Sequence, residues 1–596
     1  MYSYLFRNAS LIDGSGSPPC RADVAVAGDR IAAVGPDLDG TAEQVVDGAG
    51  LVLSPGFIDI HGHSDMTLFR HPLLESKVFQ GVTTEVIGNC GLGLFPVRAG
   101  GEGELADYLG LHDFSLPEAG IAWADLAGCA ERVDAMGLGL NVAPLVGHAG
   151  LRISAMGMAD RPPTSIELER MRQLLGALLR QGAWGMSTGL IYPPGSYAAT
   201  DELIDLATVL TCHGALYASH IRDEGEGIIR ALDEAIAIGV ETGCRVQVSH
   251  LKAMGSGNHG RAGALLEKLA MVRAAGVDIG ADQYPYNASA TTLTAVVPQW
   301  AHAGGPQTLL KRLADPALGA ELQAQIGREM AQREGAAGIV VTGCRSTRNR
   351  RFSGETVARI AAEWGCPPEE AVVRLILEEE GSVGAIFFSM AEQDVATILA
   401  DPLVAVGSDG HGLNAVEAAG ETTHPRSYGT FPRVLGRYVR EEKLLSLASA
   451  IHKMTGLPAQ RLGLGDRGVV APGFSADLVL FDPMTVADLA TYGEPHRYAA
   501  GIIHSFVAGQ PVIWDGRLTG ERPGRVLRRT RLQGIFPRPS IVTWRCYACD
   551  FTQSGQENLP QIRARTLTNH LKGEVLLCLS KSLPHSAGAS WGWRRF

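Results

Sequence analysis

The sequence predicts an α/β fold, a TIM-type (β/α)8 barrel that carries a small β domain and an inserted α+β lobe. Three observations lead to this prediction. Short apolar runs alternate with helical patterns from about residue 55 to 465, strand-rich stretches occupy residues 1–54 and 466–530, and about 115 residues separate two late apolar runs. Alternating strands and helices are typical of a parallel sheet, and 596 residues accommodate a barrel of roughly 250 residues with further modules.

Both ends of this region predict short strands. Residues 1–54 alternate apolar and polar positions in YLFRNASLI, ADVAVAGDRIAAVG and AEQVVDGAGLVL, with Gly and Asp turns between them. Residues 466–530 contain DRGVVAPGFSADLVLFDP, GIIHSFVAGQPVIWDG and a final PGRVLRR. We therefore expect one composite β-sandwich domain built from both segments, and two unrelated β segments are the alternative.

The barrel is expected over residues 55–465. Its helical stretches include SIELERMRQLLGALLRQG, ATDELIDLATVLTCHG and GEGIIRALDEAIAIGVETG. The span between DQYPYNAS and VAVGSDG is too long for an ordinary βα connection. We therefore expect an inserted α+β lobe at about 290–400, over the mouth of the barrel.

Residues 531–596 differ from the rest of the chain. This tail has nine basic and three acidic residues, and it lacks helical or strand periodicity. Cys546 and Cys549 form a lone CxxC pair, which is weak evidence for a zinc knuckle because no second pair follows. The tail is interpreted as a non-core C-terminal extension, with an unstructured appendage favoured over a knuckle.

Composition narrows the class of protein. Hydrophobic residues make up 45% and charged residues 19%, as in a packed globular chain. A net charge of −11 without a long basic run argues against a nucleic-acid partner. No apolar run reaches the roughly 18 residues needed to cross a membrane, and the N-terminus lacks a signal-peptide pattern. Ten scattered cysteines suit reduced thiols, so we expect a cytoplasmic enzyme without a membrane partner.

Six residues with metal or proton chemistry follow apolar runs, in a fixed order along the chain. They are His61 and His63 in GFIDIHGHSD, Cys90 in VIGNCGLG, His220 in YASHIRDEG, His250 in VQVSHLKAMG and Asp409 in VAVGSDGHG. The runs LVLSPGFIDI, TTEVIG, GALYAS, RVQV and LVAV predict buried parallel strands, whose carboxyl ends meet at one barrel mouth. Zinc prefers His and Cys ligands, so the order predicts a metallohydrolase.

The local pattern supports each ligand. His61 and His63 lie on one side of a strand because side chains alternate with period two. Cys90 follows Gly88-Asn89 on a turn that glycine allows, whereas an ordinary buried cysteine is a small apolar residue. His220 and His250 each follow an apolar run and one serine. Isolated core histidines are the alternative for this pair.

Asp409 is the candidate acid and base. It lies on the Gly-rich turn GSDGHG, where its functional role is to take a proton from an attacking water and return it to the departing nitrogen. Capping of a following helix is the structural alternative. His411 is expected nearby, outside the ligand set.

The combination of these segments resembles the amidohydrolase superfamily, and within it the N-acyl-D-amino-acid deacylases (D-aminoacylases). The resemblance covers roughly residues 1–530. The segments that carry it are GFIDIHGHSD, GNCGLG, GAWGMSTGLIYPPGSYA, SHIRDEG, SHLKAMG, DQYPYNAS, GSDG, HPRSYGTFPRVLGRYVRE, KMTGLPAQRLGLGDRG and FSADLVLFDP.

The resemblance implies a distorted TIM barrel and a small composite β domain. It implies one tightly bound zinc held by Cys90, His220 and His250, with His61 and His63 in a weaker or partly occupied second site. Asp409 would be the catalytic acid and base, and the substrate would be an N-acyl-D-amino acid.

The substrate keeps an α-carboxylate, so the cavity needs cations and hydroxyl donors. Arg426 can bind a carboxylate with two parallel hydrogen bonds, and Lys252 follows His250 on the same strand face. Tyr284 and Ser289 in DQYPYNAS could add hydroxyls, and the family's substrate clamp is similar. A structural salt bridge is the alternative for Arg426. Ile191 is expected in an apolar wall, which favours neutral side chains.

Three rival functions would each require a different sequence pattern. A hydantoinase or dihydroorotase would bridge two metals with a carboxylated lysine, but no lysine occurs between Lys77 and Lys252. A deaminase would need a glutamate and a further histidine that SHLKA does not offer. A non-catalytic scaffold should have lost ligands, and all six positions are intact. Hydrolysis of D-dipeptides stays open as a related activity, and the oligomeric state is not predicted.

Overall fold

A computed structural model describes residues 1–529, apart from residues 113, 115, 118, 119, 420 and 421. Contacts divide the chain into two units, Met1–Arg531 and Leu532–Phe596. The fold described below is that of the first unit, and the predictions for the tail and its CxxC pair lie outside the described residues. Within the described ranges, no helix combines the length and apolar composition that crossing a membrane requires.

The strands are numbered in chain order. They are β1 Tyr2–Arg7, β2 Ser10–Leu11, β3 Cys20–Arg21, β4 Asp23–Ala27, β5 Arg30–Gly35, β6 Ala42–Asp47, β7 Val52–Pro55, β8 Phe57–Asp59, β9 Val82–Ile87, β10 Asn141–Pro144, β11 Val146–Gly147, β12 Gly185–Gly189, β13 Leu216–His220, β14 Arg245–Val248, β15 Ile279–Gln283, β16 Ser289–Thr292, β17 Ile339–Cys344, β18 Val383–Phe387, β19 Val404–Val406, β20 Leu478–Phe481, β21 Ile502–Val507, β22 Gln510–Trp514 and β23 Arg517–Leu518.

The α-helices are numbered in the same way. They are α1 Glu75–Val78, α2 Glu102–Leu111, α3 Leu126–Met136, α4 His148–Met156, α5 Ser165–Arg180, α6 Thr200–His213, α7 Ile228–Thr242, α8 Ala262–Ala274, α9 Pro306–Leu313, α10 Pro316–Ala331, α11 Val357–Trp364, α12 Pro368–Glu378, α13 Glu392–Ala400, α14 Arg426–Arg433, α15 Leu447–Met454 and α16 Gly456–Leu462. Short 3-10 helices lie at Ser64–Met66, Gly195–Tyr197, Ser256–Asn258, Leu293–Val296, Gln299–His302, Ala336–Gly338 and Arg350–Phe352, and a π-helix at Val434–Glu441 follows α14.

Parallel strands form the centre of the molecule. One sheet has the order β10-β9-β8, and another has the order β11-β12-β13-β14-β15-β19. All neighbours in both sheets pair in parallel, and only Leu145 separates β10 from β11. A parallel bridge between Gly62 and Gly410 links the segments that follow β8 and β19. The predicted α/β class is therefore confirmed.

Helices α5 and α7, which lie between these strands, each bury one apolar face. In α7, the buried residues are Ile228, Ala231, Leu232, Ala235, Ile236, Ile238 and Gly239, which recur at the spacing of a helix face. In α5, Thr164 accepts a hydrogen bond from the backbone N–H of Glu167, whose side chain bonds back to Thr164. This capping box satisfies two N–H groups that the first helical turn leaves without partners.

The apolar run LVLSPGFIDI is two strands, where one was expected. β7 pairs with β2 and β20 in a different sheet, whereas β8 joins the parallel sheet beside β9. The break lies at Pro55-Gly56, where the proline lacks a backbone N–H for a ladder and the Gly56 N–H bonds to Asp477 instead.

Strands from both chain ends share one sheet. Its order is β23-β22-β21-β20-β7-β2-β3, and a second sheet has the order β5-β4-β1-β6. Phe6, Leu11, Val24, Leu478 and Phe506 belong to one buried cluster between them.

The last described segment lies elsewhere than expected. Gly524 and Val526 form bridges with Leu138 and Val142, beside β10, and not with the strands of the small β domain. The indole of Trp184 donates to the carbonyl of Leu527, which holds the segment against the base of the parallel sheet.

Residues 289–387 have a sheet and a core of their own. The sheet order is β16-β18-β17, with antiparallel pairing throughout. Helices α9 to α12 pack on it around a separate buried cluster that includes Leu293, Ile326, Ile360 and Leu375. Helix α13, which the expected range 290–400 included, packs against α8 and β19 instead.

Candidate metal centre

All six residues singled out in the sequence lie at the carboxyl ends of the parallel strands. His61 and His63 follow β8, Cys90 follows β9, His220 ends β13, His250 follows β14 and Asp409 follows β19. The exposed fraction of each residue is at most 7%. The structure therefore brings together at one end of the sheet the set that the sequence predicted.

One group of potential ligands contains Cys90, His220 and His250. Cys90 Sγ lies 3.4 Å from His250 Nε2, and His250 Nε2 lies 2.9 Å from His220 Nδ1. One donor atom from each of the three residues lies within 4.8 Å of the others. Two imidazole nitrogens that face each other in a buried site need a proton or a cation between them, so this arrangement suits a metal ion.

A second group shares Cys90 with the first and adds His61, His63 and Asp409. Cys90 Sγ lies 3.3 Å from His61 Nε2. Asp409 Oδ1 lies 3.0 Å from His63 Nε2 and 3.5 Å from His61 Nε2. A thiolate that two groups share could serve two metal positions, in line with the expected tight and weak sites.

Three of these residues have left-handed backbone conformations that side chains rarely adopt. Their φ angles are 54° for Cys90, 35° for His250 and 51° for Asp409. Such conformations cost roughly 1–3 kcal/mol each and persist only where the surrounding structure holds them, often at functional sites. The turn at Cys90 is fixed by its neighbours, because a side chain at Gly91 would clash with the backbone of Gly189.

Charge in the site favours the ionised forms of its two acids. Burial raises the pKa of the Cys90 thiol, but the imidazoles of His61 and His250 outweigh burial and hold that pKa well below its usual value. Burial likewise raises the pKa of Asp409, and Arg426 and His250 outweigh it, so this pKa is also well below its usual value. A thiolate is the form of cysteine that binds metals.

Two carboxylates that the sequence reasoning missed hold the histidines in place. Asp282 Oδ1 lies 3.0 Å from His61 Nδ1 and accepts a hydrogen bond of 2.7 Å from the backbone N–H of His250. Glu224 Oε1 lies 3.0 Å from His250 Nδ1, and Glu224 Oε2 lies 3.5 Å from His220 Nε2. Partners of this kind fix the orientation and tautomer of a metal-binding imidazole. Both lie in segments already singled out, SHIRDEG and DQYPYNAS.

Lys77 lies beneath the site but is engaged elsewhere. Its ammonium group is 2.7 Å from Asp59 Oδ2 and donates a 2.6 Å hydrogen bond to Ser408 Oγ. Ser408 and the backbone N–H of His61 both donate to Asp59 as well. This buried network holds the turns that carry the HxH pair and Asp409.

The four residues expected to bind substrate line one cavity with the candidate metal ligands. Its volume is about 420 Å³, and its walls include Lys252, Tyr284, Ser289 and Arg426. Arg426 Nη1 lies 2.7 Å from Asp409 Oδ2, so the structural salt bridge, the alternative role of Arg426, is present within the cavity wall. Lys252 pairs with Glu224 and lies 2.7 Å from His250 Nδ1.

The ring of Tyr284 lies close to the cationic groups of both Arg426 and Lys252. The Arg426 guanidinium lies 4.9 Å and the Lys252 ammonium 5.6 Å from the centre of its ring. Among the described residues, its buried hydroxyl has no hydrogen-bond partner. A buried hydroxyl in this state is suited to bind a polar ligand group. Ser289 begins β16 and is half-buried.

His411 lies beside the HxH pair and outside the grouped ligands, as expected. Its Nδ1 lies 3.4 Å from the backbone carbonyl of His63, and burial lowers its pKa to about 3. Ile191 also lies in the cavity wall.

Comparison with known proteins gives close relatives over most of the chain. An N-acyl-D-glutamate deacylase of Alcaligenes xylosoxydans xylosoxydans is 40% identical over 519 residues, which cover 87% of this chain and 95% of the relative. A D-aminoacylase of the same organism is 39% identical over 532 residues, covering 89% and 98%. A crystal structure of N-acyl-D-glutamate deacylase from Bordetella bronchiseptica, complexed with zinc and a phosphonate inhibitor, superimposes with a TM-score of 0.75 at 38% identity, covering 88% of this chain and 99% of that one.

The match to a family model agrees with these relatives. The model of the amidohydrolase family matches residues 44–513, which include both groups of potential metal ligands. The expected resemblance is thereby confirmed, and the chain belongs to the amidohydrolase family.

Proposed function

We propose that this protein is a zinc-dependent hydrolase that cleaves the amide bond of N-acyl-D-amino acids, releasing a carboxylate and a free D-amino acid. One observation carries the proposal. The Cys90, His220 and His250 group, the Asp409 carboxylate and the cations Arg426 and Lys252 all face one cavity. The relatives named as N-acyl-D-glutamate deacylase and D-aminoacylase support the same substrate class.

The donor set fits zinc, because imidazole nitrogen and thiolate sulfur are the ligands that zinc prefers. Cys90, His220 and His250 would hold one ion tightly, and His61 and His63 would complete a weaker second site with the shared thiolate. Zinc bound there supplies a Lewis acid that polarises the amide carbonyl and lowers the pKa of a nearby water toward about 7.

Asp409 moves the proton. It is ionised before reaction, since Arg426 and His250 hold its pKa low, and it can therefore accept a proton from the attacking water. Protonated Asp409 then donates this proton to the amide nitrogen as the carbon–nitrogen bond breaks, and the carboxylate is regenerated. Arg426 Nη1 lies 2.7 Å from Asp409 Oδ2, so it opposes premature protonation and orients the carboxylate.

The α-carboxylate of the substrate would bind to Arg426, Lys252, Tyr284 and Ser289. The Tyr284 hydroxyl is buried and has no hydrogen-bond partner within the described residues, and Arg426 contacts Asp409 through Nη1. A carboxylate bound here lies next to the acid that protonates the leaving nitrogen. An N-acyl amino acid needs this proximity, because its nitrogen and its carboxylate are attached to one carbon.

We propose the finer architecture on the same basis. The two parallel sheets form one distorted (β/α)8 barrel over residues 55–465, since the bridge between Gly62 and Gly410 brings first and last strands together. Residues 1–54 and 466–523 form the composite β-sandwich domain, and 289–387 form the inserted lobe whose residues line part of the cavity.

The test measures free amino acid released from matched N-acetyl-D and N-acetyl-L substrates by zinc-loaded protein. The side chains should span Met, Leu, Phe, Asp and Glu. Release confined to the D-series would support the proposal and rank the side-chain preference. Release from the L-series, or ring opening of a hydantoin without release from either series, would overturn it and favour another amide substrate for this site.

A further inference from the structure

His424 is a buried histidine that neither the ligand groups nor the proposed carboxylate site includes. It lies in HPRSYG, two residues before Arg426 at the start of α14, and it is 2% exposed. Its ring is surrounded by aromatic rings, with centres 6.3 Å away for Tyr284, 5.2 Å for Tyr286 and 5.1 Å for Tyr492.

The two hydrogen bonds of His424 require one tautomer. Nε2 lies 3.0 Å from the carbonyl oxygen of Ala288, which can only accept, so Nε2 must carry the hydrogen. Nδ1 is then unprotonated, and it accepts a hydrogen bond of 3.0 Å from the backbone N–H of Arg426. A neutral ring therefore satisfies both contacts, and burial together with the Arg426 guanidinium holds the pKa of His424 well below its usual value.

These bonds join two segments that carry the proposed carboxylate site. Ala288 precedes Ser289 on the segment that leads into the lobe, and Arg426 begins α14 of the barrel. The guanidinium of Arg426 also donates to the carbonyl of Ala290 over 3.1 Å. Backbone and side chain of Arg426 are thus both tied to residues 288–290, and His424 supplies the backbone half of this connection.

We propose that His424 is a positioning residue for the proposed function. It holds Arg426 at a fixed distance from Ser289 and Tyr284, so that the three can meet one α-carboxylate. His424 acts through Arg426, and the bond from Nδ1 to the Arg426 N–H carries the effect. Loss of this bond leaves a buried N–H without an acceptor, and the helix start that presents the guanidinium shifts.

Three substitutions separate the two bonds. His424→Asn places an amide oxygen near the position of Nδ1 and can still accept from Arg426. His424→Gln places an amide nitrogen near the position of Nε2 and can still donate to Ala288. His424→Ala removes both bonds.

We expect His424→Ala to raise KM for an N-acetyl-D-amino acid about tenfold, because binding of the α-carboxylate is weakened. The loss in kcat should be smaller, and it should come from the contact between Arg426 and Asp409. His424→Asn should stay near the wild-type KM, whereas His424→Gln should resemble His424→Ala. If the alanine variant does not fold, the comparison of the asparagine and glutamine variants decides alone. A glutamine variant equal to or better than the asparagine variant would overturn the inference.

A double-mutant cycle with Arg426→Ala tests whether His424 acts through Arg426. The loss in kcat/KM caused by His424→Ala should largely vanish once Arg426 is replaced. Additive losses, or a loss in kcat at unchanged KM, would contradict the inference. Wild-type protein measured in parallel distinguishes failure of the inference about His424 from failure of the proposed function. If the wild type releases no amino acid from any N-acyl-D substrate, the proposed function itself is wrong.

Discussion

Asp409, the proposed acid and base, has an unusual backbone conformation. Its φ of 51° turns the side chain toward His63, and Arg426 binds its other oxygen at 2.7 Å. Asp409 does not belong to the Cys90, His220 and His250 group, so the proposed proton transfer can be removed without removing a ligand of that group.

We expect Asp409→Asn to lower kcat on N-acyl-D-amino acids by about 10²- to 10⁴-fold, because an amide cannot accept the proton of water. Zinc bound after dialysis should stay near one per chain, as measured by elemental analysis. Asp394→Asn is the matched control, since Asp394 is a buried carboxylate that bonds Gly260 and Ala262 outside the cavity. Equal loss in both variants would show that Asp409 has no special part in catalysis.

The two buried cysteines Cys90 and Cys129 allow a matched test of metal binding. Both are 4% exposed, but the pKa of Cys90 is lowered by the histidines, whereas burial raises the pKa of Cys129 to about 12. We expect Cys90→Ala to weaken zinc binding by more than roughly a hundredfold, since it removes the proposed thiolate ligand. Zinc retention after dialysis against a graded chelator gives the measurement. Cys129→Ala should retain its zinc, and loss from both variants would contradict the assignment.

The sequence predicts the individual candidate metal ligands better than it predicts the carboxylates that hold those ligands in place. His61, His63, Cys90, His220 and His250 are chemically rare residues at strand ends, so their type and position were informative. Asp282 and Glu224 were missed because a carboxylate at a strand end can equally be a cap or an ion-pair partner. Their roles follow from distances of 3.0 Å to imidazole nitrogens on other strands. Such contacts depend on which strand ends the fold places side by side.

Among the elements, α15 has a buried charge that should make stability depend on pH. Lys453 is 1% exposed, and its ammonium group contacts the backbone carbonyl of Asp401. Burial lowers its pKa to about 8, although the Asp401 carboxylate opposes this. In the unfolded chain the lysine keeps its ordinary pKa near 10.4.

We expect wild-type stability to rise, relative to a Lys453→Met variant, between about pH 8 and about pH 10.4. In this window the unfolded chain binds a proton that the folded chain has lost, so raising the pH favours the folded state. The full contribution is about 3 kcal/mol, at about 1.36 kcal/mol per pKa unit. Calorimetry at several pH values measures this effect. The Tm of the wild type should rise relative to the Tm of the variant across this range. A pH-independent difference would show that Lys453 titrates normally.

Strands and helices can be predicted from the sequence where a single apolar repeat dominates the segment. The runs GALYAS and RVQV became β13 and β14, buried along most of their length. The run LVLSPGFIDI gave one expected strand but forms two, because apolar character alone does not reveal that Pro55-Gly56 ends one ladder and starts another. The segment PGRVLRR belongs to a strand-rich stretch and so predicts a strand of the β domain, yet Gly524 and Val526 pair beside β10, and this pairing is a tertiary contact.

The whole molecule combines a net negative charge with a basic mouth. The chain carries −11, but the lobe segment 345–351 has four arginines, and Arg345 and Arg350 reach the cavity. Both are exposed, and in the described part of the chain neither forms an ion pair, while Arg345 donates to the carbonyl of Gly110. Ile191 favours neutral side chains, whereas these arginines favour anionic ones, so the two features make opposite predictions of specificity.

We expect the arginines to dominate for substrates that reach the mouth, because charge acts at a distance and an apolar wall does not. The ratio of kcat/KM for N-acetyl-D-glutamate to that for N-acetyl-D-glutamine isolates the charge at constant shape. Arg350→Gln should lower this ratio about fivefold, equivalent to about 1 kcal/mol for an exposed pair. Raising the ionic strength from about 0.05 to about 0.5 M should lower this ratio in the wild type as well, since salt screens exposed charges.

Arg348→Gln is the control, because Arg348 lies in the same segment but pairs with Glu378 at 3.5 Å outside the cavity wall. The prediction is wrong if the ratio of the two kcat/KM values does not change with ionic strength and falls equally in both variants. Specificity would then depend on the apolar wall at Ile191.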